Sequence, residues 1–337
     1  MTLEQRINAF VHLKEYFNSE NTGWQAAKFK AERENTWFTE DFIDTAVSNI
    51  CKYFLDKTLL TNWTGNYNIP ADNTDPKKIG LVMAGNIPLV GFHDLLCILI
   101  TGNIAVVKPS SKDAILINYV IKALQEINNQ FNELILIQEQ LKGCDAYIAT
   151  GSNNSGRYFE YYFGKYPNII RKNRTSVAVL TGNETTDELK LLVDDIMLYF
   201  GLGCRNVSKL MVPENYNFEQ LIALFEKYSY LADNQKLKNN YDYNLSLVLL
   251  NHQFYMTFGG VILLVEKEEI FSAISQLNYQ FYKPSENIDF KELIKNRPDE
   301  IQCIVGKDYT PFGQAQKPKL DDYADGVDTL AFLTSLN

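Results

Sequence analysis

The spacing of apolar residues predicts helices at the start of the chain and alternating strands and helices after it. Over the first 60 residues, apolar positions recur every three or four residues, which is typical of amphipathic helices joined by polar stretches. From about residue 78 the pattern changes to short apolar runs separated by helical patterns. The predicted strands are 79–84, 104–107 and 146–149, and the predicted helices are 88–100, 112–128 and one after 152.

The second half of the chain continues this alternation. Residues 176–180 predict a strand, 185–200 a helix with apolar positions on one face, and 207–212 another strand, which places Cys204 in the turn between helix and strand. Strands separated by helices of this length pair in parallel through right-handed crossovers. The pattern therefore predicts an α/β protein, in which ligands bind at the carboxyl ends of the strands.

Composition and charge narrow the function classes. The 337 residues are 46% hydrophobic and 22% charged, which is ordinary for a globular chain of about two domains. The net charge of −9 argues against nucleic acid and anionic membranes as partners, because the mean field repels both. Five cysteines without a CxxC pair suggest neither a disulfide framework nor a metal site. With no export signal and no long apolar span, we expect a cytoplasmic protein without integral membrane association.

One cysteine stands in a setting suited to nucleophilic chemistry. Cys204 lies in Gly201-Leu202-Gly203-Cys204-Arg205-Asn206, a glycine-flexible turn with a cation beside the thiol. A reactive thiolate needs exposure and nearby positive charge or amide dipoles. A buried structural cysteine is the competing interpretation, since free cysteine is among the most buried residue types. Cys51, Cys97 and Cys303 fall within apolar patterns, so we assign them to the core.

Three further segments follow predicted strands. Asn86, before Pro88, is expected at or near the N-cap of a helix, where its amide either caps the helix or stabilises an oxyanion. The next strand is followed by Lys108, Ser110 and Ser111. These side chains either bind a nucleotide at the strand end or form a solvated turn. Gly151 and Ser152 open a helix whose N-terminus favours an anion such as pyrophosphate, although a plain turn fits them as well.

In chain order these four segments resemble the aldehyde dehydrogenase superfamily. That family carries an Asn-Phe-Pro-like segment, a Lys-Pro-Ser/Ala-Glu segment, a Thr-Gly-Ser turn ending in Gly-Arg, and then the nucleophilic cysteine. The tail, 301–329, is similar to that of acyl-CoA reductases of the bacterial luminescence (LuxC) type, in particular their short Bacteroidetes forms. The resemblance implies two Rossmann-like α/β domains after the N-terminal helices, and a homo-oligomer. It implies a cofactor domain over 1–175, to which about 305–337 returns, and a catalytic domain over 176–304.

Two departures from the wider family bear on the reaction. Hydrolytic members place a glutamate in a Glu-Leu-Gly-Gly-Lys segment to activate water, whereas the corresponding stretch here, 171–175, is Arg-Lys-Asn-Arg-Thr. An acyl-enzyme without that base is exposed to hydride or a thiol and not to activated water. Ser111 stands where NAD-preferring members often carry glutamate, and Lys108 and Lys112 add positive charge, which favours NADP(H) over NAD(H).

The sequence thus predicts an NADPH-dependent acyl-CoA reductase that forms an aldehyde through acyl-Cys204, with Asn86 as oxyanion donor. Lys108, Ser110, Ser111, Gly151 and Ser152 are the predicted cofactor-binding residues. Coenzyme A would be released. The alternatives are an acyltransferase that uses the same acyl-cysteine and a non-catalytic binding protein on the same scaffold.

Overall fold

The structure, a computed structural model, describes residues 1–18, 20–283 and 290–336. The chain forms two compact units. The first comprises Met1–Asn173 and Pro318–Asn337, and the second comprises Arg174–Lys317. An α/β fold is confirmed, with one largely parallel sheet in each unit.

The first unit begins with four helices and continues as a five-stranded sheet with helices between its strands. The N-terminal helices are α1 (Leu3–Tyr16), α2 (Thr22–Glu34), α3 (Glu40–Tyr53) and α4 (Lys57–Thr64). The strands are β1 (Lys78–Val82), β2 (Ile104–Lys108), β3 (Ile135–Ile137), β4 (Ala146–Thr150) and β5 (Asn168–Arg171). The remaining helices are α5 (Phe92–Ile100), α6 (Ala114–Ile127), α7 (Phe131–Leu134) and α8 (Asn153–Phe163), with α13 (Thr329–Thr334) returning at the end of the chain.

All strands of this sheet are parallel, in the order β3-β2-β1-β4-β5. The order reverses between β1 and β4, and such a switch point is where open α/β sheets bind ligands. Helix α5 packs as an almost wholly apolar segment, with six consecutive residues from Leu95 to Ile100 fully buried. That burial places α5 in the core of the first unit.

The second unit contains a six-stranded sheet in the order β11-β6-β7-β10-β9-β8. Its strands are β6 (Thr175–Val179), β7 (Val207–Pro213), β8 (Tyr255–Phe258), β9 (Ile262–Glu266), β10 (Gln276–Tyr282) and β11 (Ile301–Val305). Its helices are α9 (Thr186–Met197), α10 (Glu219–Leu224), α11 (Gln235–Leu250) and α12 (Lys291–Asn296). Only the β8–β9 pair is antiparallel, among the pairings of the described residues.

The chain returns to the first unit later than the sequence analysis expected. Residues 305–317 belong to the second unit, because the segment after β11 is bound there by the carboxylate of Asp195 on α9. The returning segment is 318–337. Its Tyr323 hydroxyl accepts from the indole N–H of Trp63 at 2.9 Å, which fixes it to the N-terminal helices.

Candidate active site

Cys204 lies in a tight turn directly before β7. The N–H of Asn206 donates to the carbonyl of Gly203 at 3.0 Å, so Cys204 and Arg205 are the two central residues of the turn. The side-chain Oδ1 of Asn206 in turn accepts from the N–H of Gly203 at 2.8 Å. The thiol-bearing residue is partly exposed, whereas Gly203 and Asn206 are buried. Asn206 therefore closes the turn with two hydrogen bonds, one to the carbonyl and one from the N–H of Gly203.

The same side chain also binds the end of helix α9. Its Nδ2 donates to the carbonyl of Asp195 at 3.0 Å and to that of Leu198 at 2.9 Å. The last carbonyls of a helix have no partner within the helix and need one from elsewhere when they are buried. Asn206 supplies that partner, and it thereby joins the helix end to the Cys204 turn.

Helix α9 ends earlier than predicted. It stops at Met197, and Tyr199, Phe200 and Gly201 adopt left-handed backbone conformations, with φ of 56°, 57° and 72°. The prediction of a helix to residue 200 was wrong at this end, although the apolar residue at 200 is buried as the pattern required. A left-handed conformation costs roughly 1–2 kcal/mol for a residue with a Cβ. Burial of the Tyr199 and Phe200 side chains offsets that cost.

A serine links the main chain of Cys204 to a second cysteine. The hydroxyl of Ser176, on β6, donates to the carbonyl of Cys204 at 3.1 Å and lies 3.1 Å from the Sγ of Cys303, on β11. Burial raises the pKa of the Cys303 thiol to about 11, although the hydrogen bond with Ser176 and the charge of Arg205 oppose this shift. Cys303 is therefore protonated at neutral pH. It is partly exposed, so our assignment of Cys303 to the core was incomplete.

Asp195 is a buried carboxylate that the sequence analysis missed. Its two oxygens accept from the N–H groups of Gly313 at 2.6 Å and of Ala315 at 3.2 Å. Burial raises the pKa of Asp195 to about 7, and the two N–H groups oppose that shift. The signal in the sequence was an acid directly before Ile196, inside the apolar stripe of α9. Asp195 thus ties the segment after β11 to the helix that leads to Cys204.

Asn86 lies in a loop and not at a helix N-cap, contrary to the prediction. Helix α5 begins at Phe92 with Gly91 as its N-cap residue. The reason is the conformation of Leu89, whose φ of 56° interrupts the helical path after Pro88. The N–H of Leu89 donates to the carboxyl of Asp113 at 2.8 Å, and this bond holds the loop. Asn86 is partly exposed.

Asp113 has one oxygen that accepts from Leu89 and another, Oδ1, that is buried without a partner. Burial raises the pKa of Asp113 well above its usual range. Its own N–H donates to the carbonyl of Ser110 at 3.0 Å. Asp113 therefore connects the turn after β2 with the loop that contains Asn86.

The predicted cofactor-binding residues after β1 and β2 lie close together. Lys108 ends β2 and is exposed, Ser110 is partly exposed and Ser111 is exposed. A Cβ atom added to Gly85 would stand 2.5 Å from the Oγ of Ser110. The loop after β1 and the turn after β2 are therefore packed too closely for any residue but glycine at position 85. The hydroxyl of Ser110 also accepts from the N–H of Lys112 at 3.3 Å.

Gly151 and Ser152 lie between β4 and α8. The Ser152 hydroxyl caps the helix by accepting from the N–H of Ser155 at 3.2 Å. A Cβ on Gly151 would lie 2.8 Å from the Cβ of Ser155, so this close turn needs glycine. Because β2, β1 and β4 are parallel neighbours, their carboxyl ends bring all five predicted cofactor-binding residues to one edge of the sheet. Asn86 is in this unit as well, whereas Cys204 is in the other.

Residues 171–175, which the family resemblance matches to the water-activating segment, begin with a buried ion pair. Arg171, at the end of β5, donates from Nη1 to the carboxylate of Asp94 on α5. Its Nη2 donates to the hydroxyl of Thr329 at 2.8 Å, which binds the returning helix α13. The carboxylate of Asp94 is therefore bound to Arg171. Within 171–175 no side chain is acidic.

No cluster of three or more histidine, cysteine or acidic side chains with metal-binding geometry is found in the described residues. Among the same residues, no helix combines the length and apolar character needed to cross a membrane.

Solved structures of aldehyde dehydrogenases share this fold. Aldehyde dehydrogenase from Bacillus cereus aligns with a TM-score of 0.62 over 91% of this chain and 72% of its own, at 14% identity. Glyceraldehyde-3-phosphate dehydrogenase GapN from Methanocaldococcus jannaschii, complexed with NADP, aligns at 0.60 over 90% and 80%, with 14% identity. Betaine aldehyde dehydrogenase from Staphylococcus aureus, in complex with NAD+, aligns at 0.64 over 85% and 68%, with 11% identity. No family model matches the sequence, and no curated protein does either.

Proposed function

We propose that this protein reduces an acyl-CoA thioester to the aldehyde with NADPH, through an acyl intermediate on Cys204. The observation that carries the proposal is the turn at Cys204, where a partly exposed thiol stands in a backbone fixed by Asn206 and Ser176. The fold, which is similar to that of aldehyde dehydrogenases with NAD or NADP bound, supports an oxidoreductase.

The first unit offers residues that fit a dinucleotide. Gly85 and Gly151 lie at two adjacent strand ends, where a Cβ would collide with Ser110 and with Ser155 respectively, so the backbone there is closely packed. The first turn of α8, capped by Ser152, is exposed and its N–H groups suit a pyrophosphate. Lys108 would bind the ribose or its 2′-phosphate, since Ser111 contributes no repelling charge. When bound, NADPH would supply the hydride that reduces the thioester.

Cys204 would act as the nucleophile. Its thiolate attacks the acyl carbonyl, the carbon–sulfur bond to coenzyme A breaks, and coenzyme A leaves as a thiolate. The negative charge that develops on the carbonyl oxygen would be stabilised by the main-chain N–H of Cys204 and the amide of Asn86. Both donors belong to short loops whose backbones are held by buried side chains, Asn206 and Asp113 respectively.

The absence of an acid from 171–175 supports reduction over hydrolysis. A hydrolytic enzyme needs a base near the acyl-enzyme to activate water. Here β5 ends in Arg171, whose guanidinium is bound to Asp94 and Thr329. An acyl-enzyme with this stretch in place of a glutamate would persist until hydride or another acceptor reaches it.

The test is a two-stage assay on the full chain, with acyl-CoA substrates from acetyl to palmitoyl. In the first stage, without nucleotide, intact-mass spectrometry should detect one acyl group on the wild type and on Cys303→Ser, and none on Cys204→Ser. In the second stage, NADPH absorbance should fall as aldehyde appears, and Cys204→Ser should be inactive.

The outcome separates the candidate functions. Transfer of the acyl group to an added thiol without NADPH consumption would identify an acyltransferase. A wild-type chain that forms no adduct with any acyl-CoA of the series would exclude both catalytic functions.

A further inference from the structure

The side chain of Asn206 is hydrogen-bonded to the backbone that leads into the Cys204 turn. Its amide spans two backbone segments, the turn that begins at Gly203 and the end of α9 at 195–198. The side chain is 1% exposed, so none of these bonds can be replaced by bulk water. We propose that Asn206 is a positioning residue that fixes the orientation of Cys204 for acylation; this inference rests on the proposed function.

The geometry requires an amide at this position. One face of the side chain receives an N–H, from Gly203, and the other meets carbonyls, those of Asp195 and Leu198. Asparagine carries an acceptor and two donors on one short side chain. An aspartate would place a second oxygen against carbonyl oxygens, and an alanine would remove the bonds to the N–H of Gly203 and to the carbonyls at the end of α9. Each such loss is costly because the groups are desolvated.

Asn206 also holds a strained backbone. Tyr199 and Phe200 are left-handed, and the carbonyl of Leu198, which immediately precedes them, is bound by Nδ2 of Asn206 at 2.9 Å. Without this bond the segment has a lower-energy alternative, in which the bulky residues return to ordinary φ values. Relaxation would shift the turn that follows. A displacement of about 1 Å at a nucleophile can cost about 100-fold in rate.

Asn278 provides a matched control in the same unit. It is also 1% exposed, and its Nδ2 donates to two main-chain carbonyls, of Glu269 at 2.9 Å and Phe271 at 3.0 Å. Its Oδ1 accepts from Gln276 at 2.7 Å. Asn206→Ala and Asn278→Ala therefore remove comparable buried networks, but only the first touches the Cys204 turn.

The experiment compares both variants with the wild type, after cooperative urea unfolding has established that each is folded. For Asn206→Ala we expect kcat, and the rate of acyl adduct formation, to fall about 100-fold. The KM for acyl-CoA should stay within about threefold, since binding groups are untouched. Asn278→Ala should keep kcat within about threefold of the wild type. Asn206→Ser, whose hydroxyl can serve one of the partners, should lie between, and it replaces the alanine variant if that does not fold.

Hydrogen exchange separates failure of this inference from failure of the proposed function. In Asn206→Ala the amides of residues 198–206 should exchange at least about tenfold faster than in the wild type, and in Asn278→Ala they should not. If exchange in this segment is unchanged, or if both variants lose kcat equally, Asn206 does not position Cys204. If no chain is acylated but exchange rises as expected, the proposed reaction fails and the structural part of the inference is retained.

Discussion

The buried carboxyl of Asp195 predicts an unusual dependence of stability on pH. Its pKa is raised to about 7 by burial, against about 3.9 in an unfolded chain. Because the folded state holds the proton more tightly, the stabilisation is complete below pH 4 and is lost as the pH rises through 7. The shift of about three pKa units corresponds to about 4 kcal/mol, of which about 3 kcal/mol falls between pH 5 and pH 8.

The perturbation is Asp195→Asn, in which the amide has the shape of the protonated acid but cannot titrate. Asparagine keeps one acceptor oxygen, but its Nδ2 would face the second of the two N–H groups, so the variant should lose some stability by an amount that does not depend on pH. Between pH 5 and pH 8 the unfolding free energy of the variant should gain up to about 3 kcal/mol relative to that of the wild type. Groups that titrate in both proteins cancel in this difference.

The assay is urea unfolding of both proteins at intervals from pH 5 to pH 8, analysed as the difference in unfolding free energy. Asp187→Asn is the control, because Asp187 is exposed on the same helix, α9. A flat profile for Asp195→Asn would refute the reasoning. It would mean that the two N–H bonds outweigh desolvation and keep the carboxyl ionised.

Three further predictions concern other parts of the two units. Burial lowers the pKa of Lys209 to about 8, so the protonated amine opposes folding. The unfolding free energy should therefore rise by about 3 kcal/mol between pH 8 and pH 10.5. Urea unfolding at intervals over this range should show the rise in the wild type but not in Lys209→Met. Arg171→Met leaves Asp94 buried and unpaired, which should lower the unfolding free energy by about 3–5 kcal/mol, whereas a loss below 1 kcal/mol would contradict the ion pair. Gly85→Ala should raise the KM for NADPH at least about tenfold, measured by steady-state kinetics, because the new Cβ displaces Ser110; a variant with wild-type KM would argue against nucleotide binding at this turn.

The element order of the fold was predictable because each strand is a short apolar run and each helix has apolar residues on one face. The predicted strands 79–84, 104–107, 146–149, 176–180 and 207–212 all correspond to observed strands, within two residues at each end. The spacing of apolar residues indicates which side chains of a helix or strand are buried, and it can be read from a short stretch of sequence. The turn that carries Cys204 was also predictable from local sequence, because the residues that close it, Gly203 and Asn206, are only three positions apart.

The errors arose where a distant side chain decides the local conformation. Nothing within 185–200 signals that the helix ends at Met197, because the side chain that captures its last carbonyls belongs to Asn206. The loop around Asn86 depends in the same way on Asp113, which follows Leu89 by 24 residues. Capping residues are recognised from sequence when they are adjacent to the helix. Neither Asn206 nor Asp113 is adjacent to the helix end that it affects, so periodicity extended both helices too far.

The strain in the segment that leads into the Cys204 turn is itself an argument about function. Two bulky residues, Tyr199 and Phe200, are held in left-handed conformations that cost roughly 1–2 kcal/mol each, and a glycine at either position would relieve that cost. A connection between a helix and a strand can be made without such strain. The strain persists because Asn206, Ser176 and burial determine the path of the chain there. Strained backbone of this kind occurs preferentially at reactive sites, where it fixes a side chain that a relaxed loop would leave mobile.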